Sequence, residues 1–266
     1  MPAPALAYIA GMSDNDRSWF VLSLARGLDV IRAFRADASS LSVSEVAARA
    51  GVSRAAARRL LMTLRELGYV GMRDDRWTLR PRVLELGYAW ISSRRVEELV
   101  QPYLDEVAER TGQSSSLGVL EGREIVFVAR APAPRRMSVR VSVGSHLAAH
   151  ATAIGKVLLA ALPEEELARL LDEAPLRGFT PATITGSAAL RREIAAVREA
   201  GFATAHGELD PEVASIAVPV RGPRGEVLAA INVSTHASAA TREELPARFR
   251  PLLEETARSL RLASLG

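Results

Sequence analysis

Apolar positions recur along this chain first with a helical period and later with an alternating one. Residues 1–18 show no period and are expected to form a flexible tail. Leu24, Leu28 and Ile31, with Val30 and Phe34, then give a helical stripe that ends near Asp37-Ala38-Ser39-Ser40. Ser42-Val43-Ser44-Glu45 is a capping box, whose hydroxyl and carboxylate each satisfy an orphan helix N–H. The helix it opens is expected to bury Val43, Val46 and Ala47 and to stop at Ala50-Gly51-Val52, where Gly51 suits a positive φ. Ser53 caps the next helix, with Ala57, Leu60, Leu61, Leu64 and Leu67 on its inner face. Gly68 ends it, and residues 69–72 and 77–79 read as strands joined through Arg73-Asp74-Asp75-Arg76.

Pro81 suits the first turn of a further helix. Val83, Leu84, Leu86, Tyr88, Trp90 and Ile91 occupy more than one of its faces, so it needs cover from more than one side, between domains or between subunits. Pro102 kinks that helix or starts a new one, which runs to Thr111-Gly112. Strands at 117–121 and 125–130 flank Gly122-Arg123 as a hairpin, and 137–143 alternates. Residues 154–162 and 164–171 read as helices, and Leu190, Ile194 and Val197 mark another that ends at Gly201. A second hairpin joins 216–220 to 227–234 through Gly222-Pro223-Arg224-Gly225, and Thr241-Arg242-Glu243-Glu244 is a capping box before a C-terminal helix. Hairpins with flanking helices predict an α+β fold around an antiparallel sheet, and no internal repeat is present.

The 266 residues suit one large domain or two modest ones. Cysteine is absent, which excludes a disulfide scaffold, a thiolate nucleophile and Cys-bearing metal sites. No apolar run approaches a membrane span and no signal segment opens the chain, so a soluble cytoplasmic protein is expected, without a membrane partner. Residues 1–95 hold 15 Arg against 9 acidic residues, and the remainder 19 Lys+Arg against 22. A basic front on an acidic back suggests a polyanion partner for the front. Lys156 is the single lysine, so arginine has replaced lysine throughout and its clustering carries more weight than its abundance.

The front has the order of a winged helix-turn-helix, whose second helix enters the major groove while the hairpin touches the backbone. The candidate DNA contacts are Ser53, Arg54, Ala55, Arg58 and Arg59 on that helix and Arg73 and Arg76 on the wing. Arginine pairs with guanine or clamps phosphate, and an alanine methyl packs on thymine. Other chemistry finds little support. Gly155-Lys156 precedes Val157, and His150 stands where a phosphate-binding loop needs its first glycine. His146 and His150 are spaced as a metal pair but have no third ligand nearby. Ser115 and Ser234 lie in no nucleophile elbow, and Glu208 and Asp210 read as loop carboxylates.

Several segments resemble the IclR family of bacterial transcription regulators. They are Ser23-Leu24-Ala25-Arg26-Gly27-Leu28-Asp29-Val30-Ile31, the helix-turn-helix, and Thr78-Leu79-Arg80-Pro81-Arg82-Val83-Leu84-Glu85-Leu86-Gly87. The likeness continues through His150-Ala151-Thr152-Ala153-Ile154-Gly155-Lys156-Val157-Leu158-Leu159-Ala160, Ser215-Ile216-Ala217-Val218-Pro219-Val220 and Asn232-Val233-Ser234-Thr235-His236-Ala237. The last segment is most similar to the branch that governs protocatechuate and 4-hydroxybenzoate catabolism in the β-ketoadipate pathway.

The resemblance implies a winged helix at 19–80, a linker helix at 81–101 and an effector-binding domain with a GAF-like curved sheet at 102–266. It implies no enzyme and no cofactor, but a homodimer or dimer of dimers on a palindromic operator. It also implies an effector cavity lined by Ala153, Ile154, Gly155, Ser215, Asn232 and Ser234. Ala205 and Ser215 align where glyoxylate-responsive members carry an acidic residue and a cysteine, and Asn232 where they carry serine, which argues against a two-carbon acid. Helix-start amides at Ile154 and Gly155 favour a carboxylate, and the neutral polar groups can bond phenolic oxygens. Leu117 and Val119, or neighbours, are expected to face the ring. With no arginine in this set, an aromatic acid is favoured over the pathway's linear dicarboxylate. The alternatives are a regulator of another carbon source answering to a short organic acid, or a small-molecule-binding enzyme.

Overall fold

The computed structural model describes residues 19–35, 38–86, 96–133 and 141–260. The chain divides into two compact units, Met1–Trp90 and Ile91–Gly266. The first contains α1 (Leu22–Arg32), β1 (Ser40–Leu41), α2 (Val43–Ala50), α3 (Arg54–Glu66), β2 (Val70–Arg73) and β3 (Arg76–Leu79). Its boundaries follow local chemistry. The Ser42 N–H donates to Glu45 Oε2 at 2.7 Å while the Glu45 N–H donates to Ser42 Oγ at 3.3 Å, closing the capping box of α2. Gly51 takes φ 64° at the end of α2, and Ser53 Oγ accepts the Ala56 N–H at the start of α3.

Val30, Phe34, Leu41, Val46, Ala57, Leu61, Leu64, Val70 and Trp77 form one core beneath these elements. Three expectations change. Leu24 and Leu28 are 63% and 46% exposed, because α1 reaches the core only through its last turn. Leu67 is 52% exposed, because it stands at the helix C-cap, off the buried face of α3. Ser40–Leu41 adds a third strand, in the order β1-β3-β2. The wing turns through Asp74 and Asp75 alone, both at positive φ (51° and 58°), as a type I′ turn requires, so Arg73 and Arg76 end the strands.

The expected linker helix begins as a short 3-10 turn, Pro81–Leu84. Residues 87–95, including Tyr88 and Trp90, lie outside the described residues. Pro102 lies within α4 (Val96–Thr111) and starts no helix. Val100 and Leu104 on either side of it enter the same core, so α4 crosses the boundary expected at residue 102.

The second unit continues with β4 (Ser114–Glu121), β5 (Glu124–Ala131), β6 (His146–Ala148), α5 (Ala153–Ala160), α6 (Glu164–Asp172) and α7 (Ser187–Ala200). β7 (Ala203–His206), β8 (Val213–Arg221), β9 (Val227–His236) and α8 (Glu244–Ser259) follow. The strands form one antiparallel sheet in the order β6-β5-β4-β9-β8-β7. α4 and α8 cover one face through Val100, Leu104, Phe249 and Leu253, packed on Leu117, Ile216, Ile231 and Val233. α5, α6 and α7 cover the other through Ile154, Leu158, Leu167 and Ile194, packed on Ile125, Phe127, Ala217 and Ala230. β6 and β7 were not expected from the sequence. Residues 137–140 of the expected strand at 137–143 lie outside the described residues, and Val141–Val143 are not strand.

Candidate functional site

α3 presents Ser53, Arg54, Ala55, Arg58 and Arg59 to solvent, opposite the buried Ala57, Leu61 and Leu64. No acidic residue occupies its first turn, so the helix-start N–H groups and the arginines act on an approaching phosphate with the same sign. Arg73 is exposed beside Asp74 at the wing tip. Arg76 is different. It donates to the Ser40 carbonyl at 2.7 Å, to Ser40 Oγ at 3.3 Å and to Glu45 Oε2 at 3.0 Å, tying the wing to β1 and α2. Three of its donors are spent inside the protein, which suits holding the wing in place better than reading DNA.

The second unit holds a cavity of about 610 Å³, counted with the solvent space at its mouth. Strand register builds its floor. Ala205, Ser215, Ser234 and Ser114 form one cross-strand row, and Ala203, Ala217, Asn232, Ser116 and Arg130 form the next. Arg130 donates to Ser116 Oγ at 3.3 Å and to Ser114 Oγ at 3.2 Å. It forms no ion pair with a carboxylate among the described residues, and burial lowers its pKa. Asn232 is 5% exposed; its Nδ2 donates to Ser234 Oγ at 2.9 Å, while its Oδ1 is buried without a partner. Ile125, Phe127, Val141, Leu147 and Ile154 supply apolar walls, and Glu208 and Asp210 add carboxylates.

α5 enters from above this floor. Thr152 Oγ1 accepts the Gly155 N–H at 3.1 Å, so that amide is already satisfied, whereas the Ala153 and Ile154 amides precede the first intrahelical bond. Gly155 does not line the cavity. It is pressed against the Ala149 backbone, which a Cβ would overlap. Behind it Lys156 is wholly buried and donates from Nζ to Glu208 Oε1 at 2.6 Å, Glu193 Oε1 at 3.1 Å and the Thr204 carbonyl at 3.2 Å. Glu193 also receives Arg242. Burial pushes the Glu193 carboxyl up, but Lys156 and Arg242 together hold it below its usual range.

His150 is buried, and its Nε2 meets the Arg177 carbonyl at 2.9 Å. A carbonyl only accepts, so the proton sits on Nε2. Burial holds the pKa of this imidazole down against that bond. His146 faces Glu124 at 3.3 Å. Among the described residues no group of three or more His, Asp or Glu is placed to hold a metal. Ser115 Oγ donates to the Asn232 carbonyl at 2.9 Å, a strand-to-strand bond.

Five of the six expected cavity residues therefore line it: Ala153, Ile154, Ser215, Asn232 and Ser234. Leu117 and Val119 do not, because they face α4 and α8 in the opposite layer. Sequence reasoning finds neither Arg130 nor the capping Thr152, and it takes for a loop carboxylate a Glu208 that the fold buries against Lys156. The signal for Thr152 was present, a threonine three residues before a helical glycine. For Glu208 the signal was the single lysine, whose burial demands a carboxylate. No described helix is long and apolar enough to cross a membrane.

Known proteins agree with this layout. The family profile for the IclR helix-turn-helix domain matches residues 23–73, and that for the bacterial transcriptional regulator IclR C-terminal domain matches residues 88–262. The Pca regulon regulatory protein of Pseudomonas putida is 39% identical over 97% of this chain and 88% of its own length. The p-hydroxybenzoate hydroxylase transcriptional activator of Acinetobacter baylyi is 35% identical over 91% of each. The crystal structure of an IclR homologue from Microbacterium hydrocarbonoxydans complexed with 4-hydroxybenzoate superposes with a TM-score of 0.76, at 27% identity, over 89% of this chain and 96% of that one. With both halves matched in order and relatives above 30% identity across nearly its whole length, the chain belongs to the IclR family of bacterial transcriptional regulators.

Proposed function

We propose that α3 reads operator DNA and that the cavity in the second unit binds an aromatic acid of the protocatechuate and 4-hydroxybenzoate class, through which this regulator governs aromatic catabolism. The observation that carries the ligand's carboxylate is Arg130, a part-buried guanidinium fixed by two serines and paired with no carboxylate among the described residues; it supplies the arginine absent from the expected set, so the aromatic class rests on the apolar walls beside it. An arginine so placed is completed by a ligand carboxylate, and the Ala153 and Ile154 amides add to that cradle. Phe127, Ile125 and Leu147 suit a ring, and the cavity's neutral polar groups, Ser215, Asn232 and Ser234, can bond polar atoms of the ligand. The relatives named for the Pca regulon and for p-hydroxybenzoate hydroxylase support the same reading. A palindromic operator needs paired heads, so the working state is a homodimer or a dimer of dimers, in the cytoplasm.

Titration calorimetry with protocatechuate, 4-hydroxybenzoate and 3-oxoadipate, with glyoxylate and pyruvate as controls, tests the ligand. Arg130→Gln is expected to weaken the aromatic acid about 10- to 100-fold, the scale of a hydrogen bond to a charged group. Unchanged affinity would remove Arg130 from the site, and binding of only the two controls would overturn the ligand class. On the DNA side, Arg54→Ala, Arg58→Ala and Arg59→Ala are expected to cost about 1–3 kcal/mol each where they read a base, or to flatten the salt slope by about one unit where they hold a phosphate. Footprinting on the DNA beside its own gene distinguishes the two. Three variants with wild-type affinity would refute the assignment of α3.

A further inference from the structure

The cavity is polarised from end to end. Arg130 stands on β5 and Glu208 follows β7, four strand spacings apart in the sheet order, roughly 19 Å between backbones before either side chain reaches inward. Glu208 is only 3% exposed. Its Oε1 is held by Lys156 Nζ at 2.6 Å, and its Oε2 is buried without a partner in a residue that lines the cavity. A carboxylate oxygen left without a donor at that depth is costly unless a ligand supplies one.

We propose that Glu208 is the specificity-determining residue of this cavity, and that its Oε2 accepts the hydroxyl proton of a ligand whose carboxylate lies on Arg130. The inference rests on the ligand class proposed above and adds its polarity: carboxylate towards β5, hydroxyl towards β7. Lys156 Nζ donates to Oε1 and leaves Oε2 as the oxygen open to a further donor. A neutral donor satisfies Oε2, whereas a second carboxylate would meet Glu208 and Asp210 at like charge. The cavity is thereby built to accept a hydroxylated aromatic monoacid, to discriminate against its unhydroxylated counterpart, and to reject the linear dicarboxylate.

Calorimetry on the full-length protein tests this with 4-hydroxybenzoate, 4-aminobenzoate, 4-fluorobenzoate and 3-oxoadipate. The amino compound keeps a donor and is expected within about tenfold of the hydroxy acid, whereas the fluoro compound, which has none, is expected about 10- to 100-fold weaker. In Glu208→Gln, Lys156 holds the amide oxygen and turns the NH₂ towards the cavity, replacing an acceptor by a donor. The preference for hydroxyl over fluorine is then expected to collapse to within about threefold, while the dependence on Arg130 persists. Equal wild-type affinity for the hydroxy and fluoro acids, or tighter binding of 3-oxoadipate than of either, overturns the role of Glu208. It does so without touching the aromatic reading when Arg130→Gln still weakens the aromatic acids; failure of every aromatic acid to bind overturns both. If Glu208→Gln does not fold, the analogue series on the wild-type protein decides alone.

Discussion

Lys156→Met is expected to destabilise the second unit by about 3–5 kcal/mol, the scale for removing one partner of a buried ion pair. The Lys156 side chain has no exposure, and its ammonium is the hub for Glu208, Glu193 and the Thr204 carbonyl. Without it Glu193 keeps Arg242, but Glu208 is left buried with neither oxygen paired. The loss therefore comes from an uncompensated carboxylate more than from a missing attraction. The same physics gives a second expectation: Lys156→Met combined with Glu208→Leu should recover most of the stability, because an apolar pair of similar volume leaves no charge to solvate. Urea unfolding followed by circular dichroism measures both. A single-variant loss below about 1 kcal/mol would place Glu208 in water and contradict the cluster as described.

Gly155→Ala should be nearly as damaging, at about 3 kcal/mol, the upper end for overpacking, because the obstacle is backbone. The added Cβ would overlap the Ala149 carbonyl and Cα, which no rotamer change can move. Relief requires α5 to lift from the 3-10 turn before it, and α5 carries Ile154 into the cavity and Lys156 into the ion cluster. The variant is thus expected to lose ligand affinity together with stability. Thermal unfolding with and without 4-hydroxybenzoate checks this, and a variant of unchanged midpoint would contradict the close approach. The Gly-Lys pair that superficially resembles a phosphate-binding loop is explained by packing: glycine for a close backbone, lysine for the buried Glu208 and the half-buried Glu193.

What was legible in the sequence was mostly local. The capping boxes at Ser42 and Thr241, the cap at Ser53 and the turn at Gly51 each depend on groups within a few residues. What was not legible depended on pairing across the chain. Lys156 meets Glu208 over 52 residues, a contact that only the sheet order creates. Arg130 was hidden by a bulge. Gly118 pairs with Phe127 but Leu117 pairs with Ala129, so one extra residue on β5 flips the alternation. Counting by twos from Ile125 and Phe127 sends Arg130 to the wrong face; the bulge returns it to the cavity. β1, β6 and β7 hold two, three and four residues, too few for a period to show. The wing turn was readable in position but not in type, because Asp-Asp lacks the glycine that usually marks a type I′ turn.

One ligand, held in the cavity of the second unit, is expected to change how the first unit binds DNA. Fluorescence anisotropy of the full-length protein on labelled DNA from beside its own gene, titrated with and without saturating 4-hydroxybenzoate or protocatechuate, tests it most directly. Binding is expected to be salt-dependent, with an affinity that shifts about 5- to 150-fold with one of these acids, the usual range of allosteric coupling, and a shift that Arg130→Gln abolishes at the same ligand concentration. DNA affinity identical with and without every aromatic acid, while calorimetry shows that acid bound, would contradict it.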